Sequence, residues 1–173
     1  KSVAVDSLQN VFVGGDFYHT VDFNPGQDSA YRTSIGEDDM FILKLNEQGD
    51  FVWVQTFGGE ANDEFSQIEV TPGGDIFCYG LFEELLEVPT TPASTTLIST
   101  GWANFFLLRV SPNGEFDWAG SWGSSGHDEC GGLAIGDDGF LYMNGEYGSG
   151  VVDFDFGPGV YNLTGATGHD LFI

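Results

Sequence analysis

Basic residues are almost missing from this chain. Four Lys and Arg stand against 27 Asp and Glu, for a formal net charge of −23. A chain so poor in cations has little with which to neutralise a phosphate backbone, which excludes sequence-independent nucleic-acid binding. It also lacks the polybasic stretch that docks on anionic lipid. No run approaches 18 consecutive apolar residues, so membrane insertion by a helical span is not expected. Cysteine is scarce: Cys78 and Cys130 are the only two. They are too few for a disulfide framework and sit at no metal-ligand spacing; one bridge between them is compatible with the sequence, and two buried free thiols are the favoured reading. What is present in quantity is glycine, 26 residues, with 41% hydrophobic and 15% aromatic content. That composition belongs to a folded, turn-rich chain and not to a disordered acidic one. At 173 residues there is enough chain for one core.

The sequence repeats with a step of 65. Val11-Phe12-Val13 returns as Ile76-Phe77-Cys78 and as Leu141-Tyr142-Met143. Gly15, Gly80 and Gly145 keep the step, as do Phe17, Phe82 and Tyr147, and Val5, Val70 and Ile135. Between the first two copies Phe41 maps to Phe106, Trp53 to Trp118, Gly58 to Gly123, Asp63 to Asp128 and Glu64 to Glu129. One extra residue in the third copy aligns Asp39 and Asn104 with Asp170, and Phe41 and Phe106 with Phe172.

Each copy holds four strand-like runs, in the first near residues 3–5, 10–17, 40–45 and 51–57. Short turns such as Pro72-Gly73-Gly74-Asp75 and Ser111-Pro112-Asn113-Gly114 join them in pairs. Several runs are apolar at consecutive positions, as in Phe105-Phe106-Leu107-Leu108. An antiparallel sheet with one wet face would alternate, so both faces are expected to be covered by stacking of small sheets. Four antiparallel strands per unit at a fixed period predict an all-β fold of β-propeller blades.

The motifs Val3-Ala4-Val5-Asp6 to Asn10-Val11-Phe12-Val13-Gly14-Gly15, Glu37-Asp38-Asp39-Met40-Phe41-Ile42-Leu43-Lys44-Leu45 and Gly49-Asp50-Phe51-Val52-Trp53 resemble the SBBP-type bacterial β-propeller repeat. Its Val-Asp-Phe-(Asn/Asp)-Pro-Gly segment is matched by Val21-Asp22-Phe23-Asn24-Pro25-Gly26. The third copy has Val152-Asp153-Phe154-Asp155 followed by Phe156-Gly157-Pro158-Gly159. The second departs from the pattern with Leu86-Glu87-Val88-Pro89. The resemblance implies a large secreted or surface-exposed bacterial protein and says little about activity. On this reading residues 1–65 are one blade, 66–130 a second and 131–173 an incomplete third. That makes about 2.7 blades where roughly four to eight close a ring, so the chain is expected to be an excerpt of a longer one.

The long connections, residues 18–39, 83–104 and 148–170, share one rim with the connections between blades, and a site is expected there. Acidic residues gather on the same rim. Asp22 with Asn24, and Asp153 with Asp155, are candidate Ca²⁺ ligands, since carboxylates with Asn and backbone carbonyls suit a hard cation. The same residues equally suit Asx-turns that fix each loop. Neither pair has the spacing of an EF-hand loop. The histidines His19, His127 and His169 share no metal-binding spacing. No nucleophile elbow, P-loop or dinucleotide fingerprint occurs. Trp53 and Trp118 are expected between blades.

The expected function is therefore a non-enzymatic structural or interaction module of an extracellular or cell-surface protein, with rim loops presented to a protein or glycan partner. The alternatives are a carbohydrate-active propeller (lectin or glycan-cleaving enzyme) and a Ca²⁺-stiffened spacer in a surface filament or adhesin.

Overall fold

A computed structural model describes residues 1–155, 159–166 and 168–173. The Phe156-Gly157-Pro158 part of the repeat motif therefore lies outside the described residues. Those described form strands and turns with no helix among them. The first unit contains β1 (Ser2–Val5), β2 (Val11–Phe17), β3 (Thr20–Asp22), β4 (Tyr31–Thr33), β5 (Asp39–Leu45) and β6 (Phe51–Phe57). The second contains β7 (Asp63–Val70), β8 (Ile76–Phe82), β9 (Leu85–Val88), β10 (Thr95–Ile98), β11 (Asn104–Val110) and β12 (Phe116–Trp122). The third contains β13 (Glu129–Ile135), β14 (Leu141–Tyr147), β15 (Gly150–Asp153), β16 (Asn162–Gly165) and β17 (Asp170–Phe172).

The fold is all-β and antiparallel, and its sheets are open. The first sheet has the order β1-β2-β5-β6, the second the matching order β7-β8-β11-β12, and the third β13-β14-β17. Each unit adds a two-stranded ribbon, β3-β4, β9-β10 or β15-β16. Sequence reading took these stretches as plain loops. They are strands because a short alternating run, such as Thr20-Val21-Asp22, pairs with a partner about ten residues on and lays one face on the sheet. Phe23, at the end of β3, packs on Phe17 and Phe41, with ring centroids 5.2 and 4.7 Å apart.

Inside each sheet one glycine–phenylalanine pair recurs. Gly15, Gly80 and Gly145 lie directly opposite Phe41, Phe106 and Phe172 on the neighbouring strand. A Cβ on any of these glycines would come within 2.9 Å of the facing ring. The ring occupies the space that a side chain on the glycine would fill, so a large aromatic fits in a thin sheet.

Packing between sheets uses both faces. Phe12, Met40 and Ile42 of the first sheet meet Phe65, Ile68, Cys78, Phe82, Phe106 and Leu108 of the second in one buried cluster. The opposite face of the second sheet gives Tyr79, Phe105, Leu107 and Trp122 to a second cluster with Leu133, Tyr147 and Phe172. Continuous burial along β11 follows from this double coverage, in which only Arg109 is not buried. Leu86, Val88 and Leu97 of the second ribbon join the first cluster. Strand β7 is central, touching β1, β2 and β5 on one side and β13 on the other. Equivalent positions in adjacent sheets are neighbours: Ser2 bonds Gln67, Ser7 bonds Pro72 and Tyr79 bonds Asn144, each pair 65 residues apart.

Phe65 is fully buried, with its ring pressed against the Gly14 backbone. Phe65→Ala should lower the free energy of unfolding by about 3–5 kcal/mol in a urea titration. Phe140, exposed on a hairpin, serves as the control, and Phe140→Ala should change it by less than about 0.5 kcal/mol. Equal effects of the two substitutions would show that this sheet contact does not carry the core.

Candidate functional site

The rim that carries the long connections is organised by aspartates that accept backbone amides. In the first ribbon Asp22 Oδ1 accepts both the Asn24 and the Ala30 amide, at 3.1 and 2.8 Å, and Asn24 Oδ1 accepts the Gly26 amide at 2.8 Å. These bonds, led by the one from Ala30, hold the Asp22 carboxyl below its ordinary value. In the third ribbon Asp153 Oδ1 does the same for the Asp155 and Tyr161 amides, at 3.0 and 2.8 Å. The four residues singled out as candidate cation ligands thus sit at the ribbon turns. Asp22, Asn24 and Asp153 each spend a side-chain oxygen on a turn amide. Among the described residues no three His, Cys, Asp or Glu side chains converge to hold a metal ion.

A second set of acids pins the junctions. Asp39, Asn104 and Asp170 begin the equivalent strands β5, β11 and β17, and each accepts the amide four residues earlier: Ile35 at 3.0 Å, Thr100 at 3.2 Å and Ala166 at 2.6 Å. Asp63 and Asp128 cap the connections into the second and third sheets in the same manner, accepting Gly59 at 2.7 Å and Ser124 at 2.9 Å. Asp128 takes two further bonds on Oδ1, from the Ser124 hydroxyl at 2.6 Å and the Gly148 amide at 3.2 Å. Burial raises the Asp128 carboxyl despite these bonds. Asp63 has fewer of them, and burial pushes it up to about 8.

Beside the first junction a cleft of about 400 Å³ opens between the connection at Gly58 and Gly59 and the second ribbon. Ile35 and Leu85 supply its apolar walls, and Glu60, Glu84 and Glu87 its acidic ones. A smaller cleft of about 320 Å³ beside the second junction includes Glu64, His127, Glu129 and Cys130.

Three features were out of reach of sequence spacing. His127 and His169, 42 residues apart in sequence, come together with ring centroids 5.8 Å apart. Glu129 Oε1 lies 3.7 Å from His127 Nδ1, and Glu146 Oε2 lies 3.8 Å from His169 Nδ1. Both separations exceed hydrogen-bond length, so these are loose surface ion pairs when the rings are charged. His19 has a turn role: it and Glu84, 65 residues on, both take positive φ, 64° and 52°. Cys78 and Cys130 are free thiols; Cys78 is buried as expected, while Cys130 is only partly so. Burial raises both, Cys130 to about 12, which leaves neither a useful nucleophile at neutral pH.

Trp53 and Trp118 occupy equivalent strands. The Trp53 ring packs against the turn at Gly114 of the next sheet, where an added Cβ would approach it to 3.2 Å. Trp118 is more than a third exposed. Neither a scan against models of known protein families nor a search of curated proteins returns a match to this chain.

Two measurements check the assignment of these acids to backbone amides. Asp128→Ala leaves two amides and a hydroxyl unpaired, two of these donors on the buried Ser124, and should cost roughly 3 kcal/mol of stability in chemical denaturation. Thermal unfolding in millimolar Ca²⁺ should match that in chelator, since a ligand of the folded state at a hundredfold excess over Kd would add about 2.7 kcal/mol. A clear upward shift with Ca²⁺, abolished in Asp22→Ala or Asp153→Ala, would make those residues metal ligands instead.

Proposed function

We propose that the chain is a run of consecutive β-propeller blades of the SBBP type, belonging to a large extracellular or cell-surface bacterial protein. It acts without catalysis, holding rim loops in fixed geometry for a protein or glycan partner. The observation that carries this reading is the fate of equivalent apolar positions. Met40 and Phe105 are fully buried by the sheet that follows theirs, while Leu171 in the third sheet is 75% exposed. Phe12 is likewise buried and Tyr142 exposed, and Ile68 is buried where Val3 is exposed. The outer faces of the first and third sheets have the composition of inner ones, which supports a stack continued by further blades of a longer chain.

Several other features agree with a scaffold. Each ribbon lies on a face of its own unit's sheet, as the second does at the boundary with the first sheet, so the ribbons are part of the packed architecture and the turns beyond them are free to vary. Asp22, Asp128, Asp153 and Asp170 each serve their own turn or junction. Asp39 and Asp63, which do meet, are 2% and 1% exposed and so are not presented to a glycan as a cleaving pair would be. A strongly negative surface keeps such an assembly soluble in a cation-rich exterior.

The 173-residue chain should bind a hydrophobic dye such as ANS and self-associate in light scattering. Tyr142→Asp with Leu171→Asp should reduce both signals several-fold while leaving the unfolding midpoint within a few degrees. A chain that is monomeric and dye-silent, with the double substitution without effect, would overturn the continued stack.

A further inference from the structure

The junction between the first two sheets contains a carboxylate pair that the second junction lacks. Asp39 and Asp63 are 2% and 1% exposed, and Oδ1 of each is buried with no hydrogen-bond partner among the described residues. They are held close together. The Asp63 amide bonds the Asp38 carbonyl at 3.0 Å, the Asp39 carboxyl lies against Gly58, and the Asp63 carboxyl accepts the amide of Gly59.

The second junction shows what is missing. There Asn104 replaces Asp39, and its Oδ1 accepts the Ser99 hydroxyl at 2.8 Å as well as the Thr100 amide. Asp128 Oδ1 is satisfied by the Ser124 hydroxyl and the Gly148 amide. At the first junction Gly59 stands where Ser124 would supply its hydroxyl, and the Glu83 amide, equivalent to Gly148, bonds the Asn62 carbonyl instead. Two buried carboxyl oxygens are therefore left without a donor among the described residues, and two adjacent carboxylates in such a place cannot both ionise cheaply.

We propose that the buried Asp39–Asp63 pair retains one proton at neutral pH and forms an acid-closed latch at the junction, which loosens when that proton is lost to solvent. The reaction is a single deprotonation: one carboxylic acid beside one carboxylate becomes two carboxylates, with no other bond made or broken. The charges around the pair favour retention of the proton. Asp38 adds repulsion on Asp39, and Glu83 from the end of β8 and Asp16 from β2 add it on Asp63. Glu60 stands on the same connection. The Lys1 ammonium on the β1 side is engaged by Asp16 and Glu64, at 2.5 and 3.1 Å. Loss of the proton would set two buried charges against each other across the connections at Ile35 and Gly59, residues that also line the 400 Å³ cleft. The latch thus sets how firmly one wall of that cleft is held.

The sign follows from linkage. The folded value of about 8 for Asp63 lies above the ordinary 3.8, so folding takes up a proton between these limits. The stabilisation is fully present below pH 4 or so, falls as pH rises, and is gone above about 8. Because the two carboxyls interact, the titration belongs to the pair.

The test compares the chain with Asp39→Asn, which copies the second junction. The difference in melting temperature, variant minus parent, should be near zero at pH 4 and grow positive toward pH 8 and above. In ¹³C NMR of the parent chain, one of the two carboxyls should titrate well above every surface aspartate, and in the variant that step should move to lower pH, because the Asp39 charge is gone while burial remains. The latch is overturned if both carboxyls titrate in the ordinary acid range, or if the melting difference is flat with pH. It is equally overturned if millimolar Ca²⁺ raises the melting temperature of the parent and not of the variant, since the pair would then be a cation site.

Discussion

The packing of this chain follows from the need to cover both faces of small sheets with no helix among the described residues to do it. A four-stranded sheet whose strands are apolar at successive positions has no wet side, so it is stable only between two neighbours. That constraint explains why β7 sits between strands of two other sheets. It also explains why Phe12, Met40, Phe65 and Phe106 are buried together across a sheet boundary, and why residues 65 apart are spatial partners. The glycines belong to the same solution. Gly15, Gly80 and Gly145 each leave room for the phenylalanine opposite, so that large rings pack without thickening the sheet.

With so few cations, only a few acids such as Asp16, Glu64, Asp75 and Asp117 find a salt bridge, and the turn and junction aspartates take their partners from the backbone. The pattern is economical: one aspartate four residues after the amide it accepts, at the start of β5, β7 and β17 and just before β13, with Asn104 filling the role at β11. An Asp or Asn side chain that closes its own turn is an old device of loops. Here it fixes the angle at which each sheet hands the chain to the next. The Asp22 and Asp153 caps extend the device to the ribbon turns, which ties the acid content of the rim to architecture before any ligand is considered.

Much of this was legible in the residues. The strands near residues 3–5, 10–17, 40–45 and 51–57 fall within a residue of β1, β2, β5 and β6, because β-branched and aromatic runs between glycine turns leave no helical alternative. The turn glycines were readable for a local reason, since Gly74 and Gly139 take φ of 90° and 80°, with Gln9 at 64° in the equivalent place. The ribbons were not readable. Strands of three or four residues carry too little pattern, and what defines them is a side-chain bond from Asp22 to an amide eight residues away. The His127–His169 contact and the Asp39–Asp63 pair were hidden for a different reason: the first is created by strand order within the third sheet and the second by the stacking of the first two sheets, neither by spacing along the chain.

The positions that break the period are therefore the informative ones. Residues that keep the 65-residue step are accounted for by packing and turn geometry, and a module built only of them would be the same at every junction. Gly59 in place of Ser124 removes one hydroxyl, and Asp39 in place of Asn104 adds one charge. Neither change alters a strand or a turn, yet together they turn a satisfied hydrogen-bond cluster into a pair of buried acids short of a donor. His127 in place of Asn62 similarly puts a titratable ring where the first junction has a neutral amide. A chain assembled from repeating units acquires individual behaviour at such substitutions. Because the amide four residues before each Asp or Asn is kept as a donor at both junctions, a side-chain exchange there changes chemistry without changing fold.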